Sequence, residues 1–303
     1  MKSMQKLLVP LDGSRLAEAV LPAAHRLAER FGATVSLLHV LEQGAPETVH
    51  GERHLADVRE AEAYLQKVAE QCRCEGIAVE IHVHPNEERD VVASIIGHAR
   101  EFGADLILLA THGWGGMRDL LVGSIAQQVL RRGSLPVLLV KPTAAGEAPP
   151  FEGKRLLVPL DGKPDHDGAV MPVVEAVAHP LGSDLLLLMV VPTLGTLPRD
   201  QGAAAILTPT ATSMALDMEV EDAGRHLERT AKPLREAGLS VATEVRRGDP
   251  SSAVVEAAQA TGADLIVMST HGRAGLDAFW SASVGSKILS RIQQPLLLVK
   301  VPE

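Results

Sequence analysis

The stretch Leu7–Gly13, LLVPLDG, occurs a second time without change at Leu156–Gly162. A repeat at this distance is the signature of a duplicated structural unit. Two further motifs return in the same order, ADLILLATHG (Ala104–Gly113) as ADLIVMSTHG (Ala263–Gly272) and PVLLVK (Pro136–Lys141) as PLLLVK (Pro295–Lys300).

The repeat divides the chain into two tandem domains. We predict domains at 1–143 and 154–303, joined by a linker at 144–153. The linker region is rich in Pro, Gly and Ala and has no hydrophobic periodicity, which is typical of connecting segments.

Each copy alternates short aliphatic runs with helical patterns, which is typical of βαβ units. In the first copy the predicted strands are Lys6–Leu11, Thr34–Val40, Val79–His84, Ala104–Ala110 and Pro136–Val140. The predicted helices are Ser14–Gly32, about Glu52–Cys74, Val92–Ala99 and Ser124–Arg132. The pattern predicts a Rossmann-like α/β domain, a five-stranded parallel sheet with right-handed crossovers and helices on both faces.

Composition excludes several classes of protein. With a net charge of −9, the chain lacks the basic surface that nucleic acid requires. No apolar run approaches a membrane span, and the N-terminus MKSMQKLLVPLDG has no signal-peptide pattern. We expect a cytoplasmic protein whose two cysteines, Cys72 and Cys74, are free thiols.

The second copy has a longer segment between its second strand and second helix. This segment, 192–215, is rich in Pro, Thr and Ala. A loop of such length is usually functional or mobile. We predict a mobile surface loop rather than a ligand lid.

Two loops of each copy are predicted to meet beyond the carboxyl ends of the strands, where doubly wound sheets bind ligands. In the first copy they are Pro10–Ser14 and Ala110–Gly116, the latter running on to Gly123-Ser124. Glycines let backbone N–H groups approach phosphate oxygens, and a helix N-terminus adds a favourable dipole. The aspartate of the first loop can accept hydrogen bonds from ribose hydroxyls.

The pattern LLVPLDGS, then THG, nine residues, GS and finally PVLLVK resembles the universal stress protein family over nearly the whole chain, twice. The resemblance implies an adenine nucleotide alpha hydrolase-like fold with strand order 3-2-1-4-5. Its ATP-binding members carry Gly, two residues, Gly, nine residues, Gly and Ser or Thr. Here Gly113, Gly123 and Ser124 keep that spacing, while Ala110 replaces the first glycine.

The resemblance also assigns residues to a nucleotide site in the first domain, with ATP and Mg as the expected cofactors. Adenine and ribose would contact Pro10, Leu11, Asp12 and Val40. The triphosphate would lie against Ala110, His112, Gly113, Gly123, Ser124 and Ile125.

We expect the second site to be weaker or empty. Its counterparts are Asp161, Val190, Ser269, His271, Gly272 and Ser283. Ser269 and Ala282 stand where the motif has its first and third glycines, and Lys163-Pro164 replaces the helix-opening Ser-Arg. A Cβ at 282 would intrude where backbone must contact phosphate.

No sequence motif requires catalysis. A nucleophile elbow and a Walker lysine motif are both missing from the sequence. We expect no metal site, since His50 and His54 fit a solvated helix start, and His82 and His84 fit surface or half-buried strand positions. Three hypotheses follow: a stress-response protein that binds an adenine nucleotide in a regulatory or ligand-sensing role, a nucleotide-free scaffold, and a slow ATPase.

The last strand of each copy would be an exposed sheet edge if it had no partner. The family resemblance implies that these strands pair. We therefore predict that Val137–Val140 meets Leu296–Val299 antiparallel, which would form a pseudo-dimer within one chain. A homodimer of chains is compatible with the sequence, which does not decide it.

Overall fold

Parallel strands make up most of the sheet, as the aliphatic runs predict. The computed structural model describes residues 4–42, 44, 48–49, 52–53, 55, 57–111, 124–143, 147–148, 150–197, 207–270 and 284–302. Contacts divide the chain into two units, the first comprising residues 1–152 and 293–300 and the second 153–292 and 301–303.

The first unit alternates strands and helices along the chain. Its described strands are β1 (Lys6–Pro10), β2 (Thr34–Glu42), β3 (Thr48–Val49), β4 (Glu52–Arg53), β5 (Val79–Glu88), β6 (Leu106–Ala110) and β7 (Val137–Val140). Its described helices are α1 (Arg15–Glu18), α2 (Leu21–Phe31), α3 (Val58–Cys74), α4 (Val91–Glu101) and α5 (Ser124–Arg132).

The main strands of the first unit lie in the order β5-β2-β1-β6-β7, which is the predicted order 3-2-1-4-5. The central strand, β1, runs parallel to both neighbours, with Pro10 opposite Leu38 of β2 and Leu7 opposite Leu106 of β6. Leu7 and Leu8 are fully buried. Burying each such side chain stabilises the fold by roughly 1.5–3 kcal/mol. The strand that begins the repeated motif is therefore the centre of the core.

The predicted helix Ser14–Gly32 is two helices. Ser14 caps α1, since its Oγ accepts a hydrogen bond from the N–H of Ala17, and Gly32 ends α2 with a φ of 62°. Between them the chain turns just before Pro22, which lies in the first turn of α2. Proline has no N–H to continue a helix but fits a first turn. The caps were predicted correctly, but the single helix was wrong.

The predicted start of the third helix near Glu52 is also wrong. Glu52 and Arg53 form β4, which pairs antiparallel with β3. The helix begins at Val58, after Asp57, whose carboxylate accepts hydrogen bonds from the N–H groups of Arg59 and Glu60. This cap marks the true start. His50 and His54 lie outside the described residues.

The second unit repeats the alternation. Its described strands are β8 (Arg155–Leu160), β9 (Asp184–Val191), β10 (Ser240–Arg247) and β11 (Leu265–Thr270). Its described helices are α6 (Pro164–Leu181), α7 (Pro209–Glu236), α8 (Pro250–Thr261) and α9 (Val284–Arg291). The strands lie in the order β10-β9-β8-β11.

One repeated aspartate shows how closely the two copies correspond. Asp105 accepts hydrogen bonds from the backbone N–H groups of Gln5 and Lys6 at the start of β1. Asp264 does the same for Lys154 and Arg155 at the start of β8. The Asp of the ADLI motif thus fixes the beginning of the first strand in each copy.

The final strand, β12 (Leu296–Lys300), belongs by its contacts to the first unit. It pairs antiparallel with β7, with Leu297 opposite Leu138. This pairing was predicted. Because β12 pairs with β7, the backbone N–H and C=O groups at the edge of β7 are hydrogen-bonded and are not available to pair with another chain.

The predicted loop 192–215 ends earlier than expected, because α7 begins at Pro209. Proline is favourable in a first helical turn, and Leu216 and Ala223 of the helix pack with Val191 of β9. Residues 198–206 lie outside the described part of the chain. Among the described residues, no helix combines the length and apolar character that crossing a bilayer would require. Cys72 is buried, Cys74 is exposed, and both are free, as predicted.

Candidate functional site

The carboxyl ends of three neighbouring strands bring the predicted first-domain residues together. Pro10 ends β1, Val40 lies in β2, and Ala110 ends β6. From β1 the chain adds β2 and β5 on one side of the sheet and later adds β6 and β7 on the other side. The direction in which strands are added therefore reverses at β1. Doubly wound sheets bind ligands at such reversals.

A buried histidine holds the loop that follows β1. The N–H of Leu11 donates to the carbonyl of Leu38 at 2.8 Å. The carbonyl of Leu11 in turn accepts a hydrogen bond from Nδ1 of His39 at 2.7 Å. Because a carbonyl only accepts, Nδ1 carries the hydrogen. His39 was not among the predicted site residues, since 28 residues separate it from Leu11.

Asp12 is half-buried and organises the turn into α1. Its Oδ1 accepts hydrogen bonds from the N–H of Ser14 at 2.9 Å and from the Ser14 hydroxyl at 2.7 Å. Both bonds use the same oxygen, and Oδ2 takes no part in the turn. The carboxylate is therefore held in one orientation while its second oxygen stays out of the turn.

Gly13 is the turn residue between Asp12 and α1, and its backbone conformation favours glycine. Its φ is +91°, a region that residues with a side chain rarely adopt. A Cβ built on it would lie 2.8 Å from Cδ1 of Leu55. Leu55, which precedes α3, thus packs directly over the loop. No sequence motif predicts this contact.

The far side of the site begins at β6. Thr111 is fully buried, and its N–H donates to the carbonyl of Val140 at 2.8 Å. Its hydroxyl is buried without a hydrogen-bond partner among the described residues. A buried hydroxyl of this kind usually has a polar partner.

The predicted phosphate loop is described only in part. His112, Gly113 and Gly123 lie outside the described residues. Ser124 begins α5, and Ile125 in its first turn is half-buried. Because α5 follows β6 in a crossover to β7, its N-terminus lies at the carboxyl edge of the sheet, where a helix dipole favours an anion.

The second unit places its counterparts at the same edge of its own sheet. Asp161 follows β8, Val190 lies in β9 and Ser269 lies in β11. Val190 and Ser269 are half-buried. His271, Gly272 and Ser283 lie outside the described residues.

Asp161 differs from Asp12 in its contacts. Its Oδ1 accepts a hydrogen bond from the N–H of Lys163 at 3.1 Å. Its Oδ2 lies 2.6 Å from Nδ1 of His166 and 3.5 Å from Nζ of Lys163. Both carboxylate oxygens are thus engaged within the second unit.

A second acid–histidine pair lies beside the first. Asp167 is buried and lies 2.6 Å from Nε2 of His226. Burial raises the pKa of the Asp167 carboxyl, although the hydrogen bond from His226 opposes this shift. The first turn of α6 therefore carries a cluster of aspartates and histidines that the described contacts of α1 in the first unit do not contain.

Comparison with known proteins agrees with this architecture. A family model described as "Universal stress protein family" matches residues 4–141 and 153–300. A universal stress protein from Mycolicibacterium smegmatis is 26% identical over 308 residues, covering 97% of this chain and 96% of its own length. Universal stress protein YxiE from Bacillus subtilis is 29% identical over 148 residues, covering 45% of this chain and 98% of its own.

A solved structure shows the same fold over the whole chain. The crystal structure of a universal stress protein from Archaeoglobus fulgidus covers 99% of this chain and 98% of its own, with a TM-score of 0.69 and 18% identity. The two matched segments coincide with the two copies of the repeated motifs. The chain therefore belongs to the universal stress protein family and carries two tandem copies of the family domain.

Proposed function

We propose that the chain binds an adenine nucleotide in its first domain. The family resemblance favours ATP with Mg as that ligand. The binding serves a regulatory or ligand-sensing role in the cytoplasmic stress response. The observation that carries the proposal is the geometry of Asp12. One carboxylate oxygen fixes the loop after β1, and the other stays outside that turn at the reversal of strand order.

The surroundings of Asp12 fit the parts of a nucleotide. Oδ2 of Asp12, which has no hydrogen-bond partner among the described residues, suits the two hydroxyls of a ribose, which donate hydrogen bonds. Val40 and Leu11 supply buried apolar surface for a base. The buried Thr111 hydroxyl and the N-terminus of α5 supply polar groups on the other side of β1.

The second domain supports a weaker site. A ribose there would have to displace His166 or Lys163 from Oδ2 of Asp161. Breaking a charge-assisted hydrogen bond costs roughly 1.5–3 kcal/mol. We therefore place the nucleotide in the first domain and expect the second to bind weakly or not at all.

A nucleotide-free scaffold is the second candidate, and one observation favours it. Large apolar side chains of the second unit are exposed, with Leu207 at 83% and Met214 and Met218 at 65%. Met214 and Met218 lie one turn apart on α7, and neighbouring exposed apolar side chains are typical of interaction surfaces. Among the described residues, no pair of groups in the first site calls for a hydrolytic step, and we propose none.

The test is mass spectrometry of small molecules released from purified, denatured protein, with a thermal-shift measurement in Mg-ATP. The proposal expects an adenine nucleotide in the released fraction or a rise in the melting temperature with added Mg-ATP. No released nucleotide together with no thermal shift would contradict it and favour the scaffold.

A further inference from the structure

Three histidines of the first unit meet at the edge strand of the sheet. His82 and His84 lie two residues apart on β5, so their side chains share one face. His98 of α4 packs against that face, with its Nε2 2.9 Å from Nδ1 of His84. One ring nitrogen from each of the three lies within 4.8 Å of the others.

A carboxylate fixes the tautomer of the central ring. Nδ1 of His98 lies 3.1 Å from Oε2 of Glu101, one turn further along α4. Because a carboxylate oxygen only accepts, Nδ1 carries the hydrogen and Nε2 keeps its lone pair. A carboxylate behind the outer nitrogen of a histidine is the arrangement that commonly orients metal-binding imidazoles.

His82 is the third histidine of the cluster, and one of its ring nitrogens lacks a described hydrogen-bond partner. Its Nε2 is buried without a hydrogen-bond partner among the described residues. Burial, helped by the neighbouring His98, lowers the pKa of His82.

In the second unit, the positions that correspond to His82 and His84 hold other residues. Strand register sets His82 opposite Leu38 and His84 opposite Val40, and sets Glu244 opposite Leu188 and Arg246 opposite Val190. These pairs correspond because the second strands align in the repeat. The counterparts of the two strand histidines are therefore Glu244 and Arg246.

The second unit fills these positions with an ion pair. Nε of Arg246 lies 2.6 Å from Oε1 of Glu244. Counting from the helix caps Asp90 and Asp249, the counterpart of His98 is Ala257, which is fully buried. The second unit therefore pairs two of these positions with each other, whereas the first unit gathers three imidazole rings there.

We propose that His82, His84 and His98 form a binding site for a divalent transition-metal cation of the zinc class. Imidazole ligands suit Zn²⁺, Cu²⁺ and Ni²⁺ rather than Mg²⁺ or Ca²⁺. Zinc–nitrogen bonds of about 2.0–2.1 Å in a tetrahedron separate the nitrogens by roughly 3.3 Å. The observed separations, 2.9 Å between the ring nitrogens of His84 and His98 and within 4.8 Å for all three rings, are of this order.

Binding would replace the hydrogen bond between His84 and His98. His84 shifts its ring hydrogen from Nδ1 to Nε2, and Nδ1 then faces the metal together with Nε2 of His98. Three protein ligands leave the fourth tetrahedral position for water or an exchangeable ligand. The metal site shares no ligand with the proposed nucleotide site and does not depend on it, although His84 lies opposite Val40.

The competing explanation is a packed aromatic cluster. The ring of His98 stacks on Phe102 at 5.2 Å, and the ring of His82 meets Phe102 at 5.1 Å. In that case the rings contribute packing alone, and added metal would not bind there.

The experiment is calorimetric titration of Zn²⁺ into chelator-treated full-length protein without nucleotide, repeated with Co²⁺ while its visible spectrum is recorded. We expect one Zn²⁺ per chain and a tetrahedral Co²⁺ spectrum without thiolate charge transfer. His98→Asn should weaken binding at least tenfold. Glu101→Gln should weaken it about tenfold, since losing an outer-shell partner costs 10–100-fold in affinity.

Two further variants keep the test independent of folding. The triple variant His82→Glu, His84→Arg, His98→Ala copies the second unit and should fold but not bind Zn²⁺. His179→Asn, in the second unit, should bind like wild type. No uptake by wild type, undiminished uptake by the triple variant, or a thiolate band that assigns the metal to Cys72 would each overturn the proposal.

Discussion

Nδ1 of His39 donates a hydrogen bond of 2.7 Å to the carbonyl of Leu11, and the contact is buried. This bond joins β2 to the loop that carries Asp12. In the second unit the corresponding residue is Met189, opposite Leu160, and methionine has no N–H to donate. The first loop therefore has a support that the second lacks.

His39→Met should destabilise the protein by about 1–3 kcal/mol, because it leaves the buried Leu11 carbonyl unsatisfied. Urea denaturation measures the change. His39→Gln, which keeps a side-chain donor, should lose less. Equal unfolding midpoints for His39→Met and wild type would show that the bond does not support the loop.

Gly13→Ala should destabilise the protein more than Gly162→Ala. Both glycines have positive φ, +91° and +75°, so each alanine carries backbone strain. At Gly13 the new Cβ also meets Leu55 at 2.8 Å, whereas at Gly162 it meets the flexible end of Met189 at 3.1 Å. Thermal melts of the two variants give the comparison.

Adding Leu55→Ala to Gly13→Ala separates the two effects. The double variant removes the collision but keeps the strained φ, so it should cost less than the sum of the single changes. Additive costs would mean that Leu55 does not pack over the loop.

Glu228 should contribute to the stability of the second unit in a pH-dependent way. Hydrogen bonds from Arg235 and Thr243 lower the pKa of its carboxyl from 4.5 to about 2. A lowered folded-state pKa stabilises the folded protein above the unfolded-state pKa. This contribution is therefore full above about pH 4.5 and is lost as the pH falls toward 2.

Glu228→Gln should accordingly reduce stability at pH 7 more than at pH 3. Urea midpoints at the two pH values measure this difference. Glu236→Gln, at an exposed position on the same helix, serves as the control. A Glu228→Gln effect of the same size at both pH values would rule out the ion-pair explanation.

Local signals explain what could be predicted from the sequence. The aliphatic runs predicted the strands, because a strand buried on both faces leaves a continuous apolar pattern. Ser14 and Gly32 predicted helix ends through the chemistry of caps. The aliphatic runs of β7 and β12 indicated edge strands that need covering, and the family resemblance implied that they pair with each other.

The features that could not be predicted from the sequence depend on contacts between residues far apart in the chain. The start of α3 depends on a cap at Asp57 and a hairpin before it, and a helical pattern alone does not locate either. The contact of His39 with Leu11 and that of Leu55 with Gly13 join distant parts of the chain. The spacing of His82 and His84 is visible in the sequence, but only the packing of α4 on β5 shows that His98 joins them.

Titration of Mg-ATP into Asp12→Asn and Asp161→Asn variants by calorimetry tests the central claim most directly. Asparagine keeps an acceptor for each turn but replaces the outer carboxylate oxygen by an amide. We expect wild type to bind one nucleotide per chain, Asp12→Asn to bind about 10–100-fold more weakly, as the loss of a charge-assisted hydrogen bond implies, and Asp161→Asn to bind like wild type. Undiminished binding by Asp12→Asn, or loss of binding in Asp161→Asn alone, would contradict the assignment of the site to the first domain.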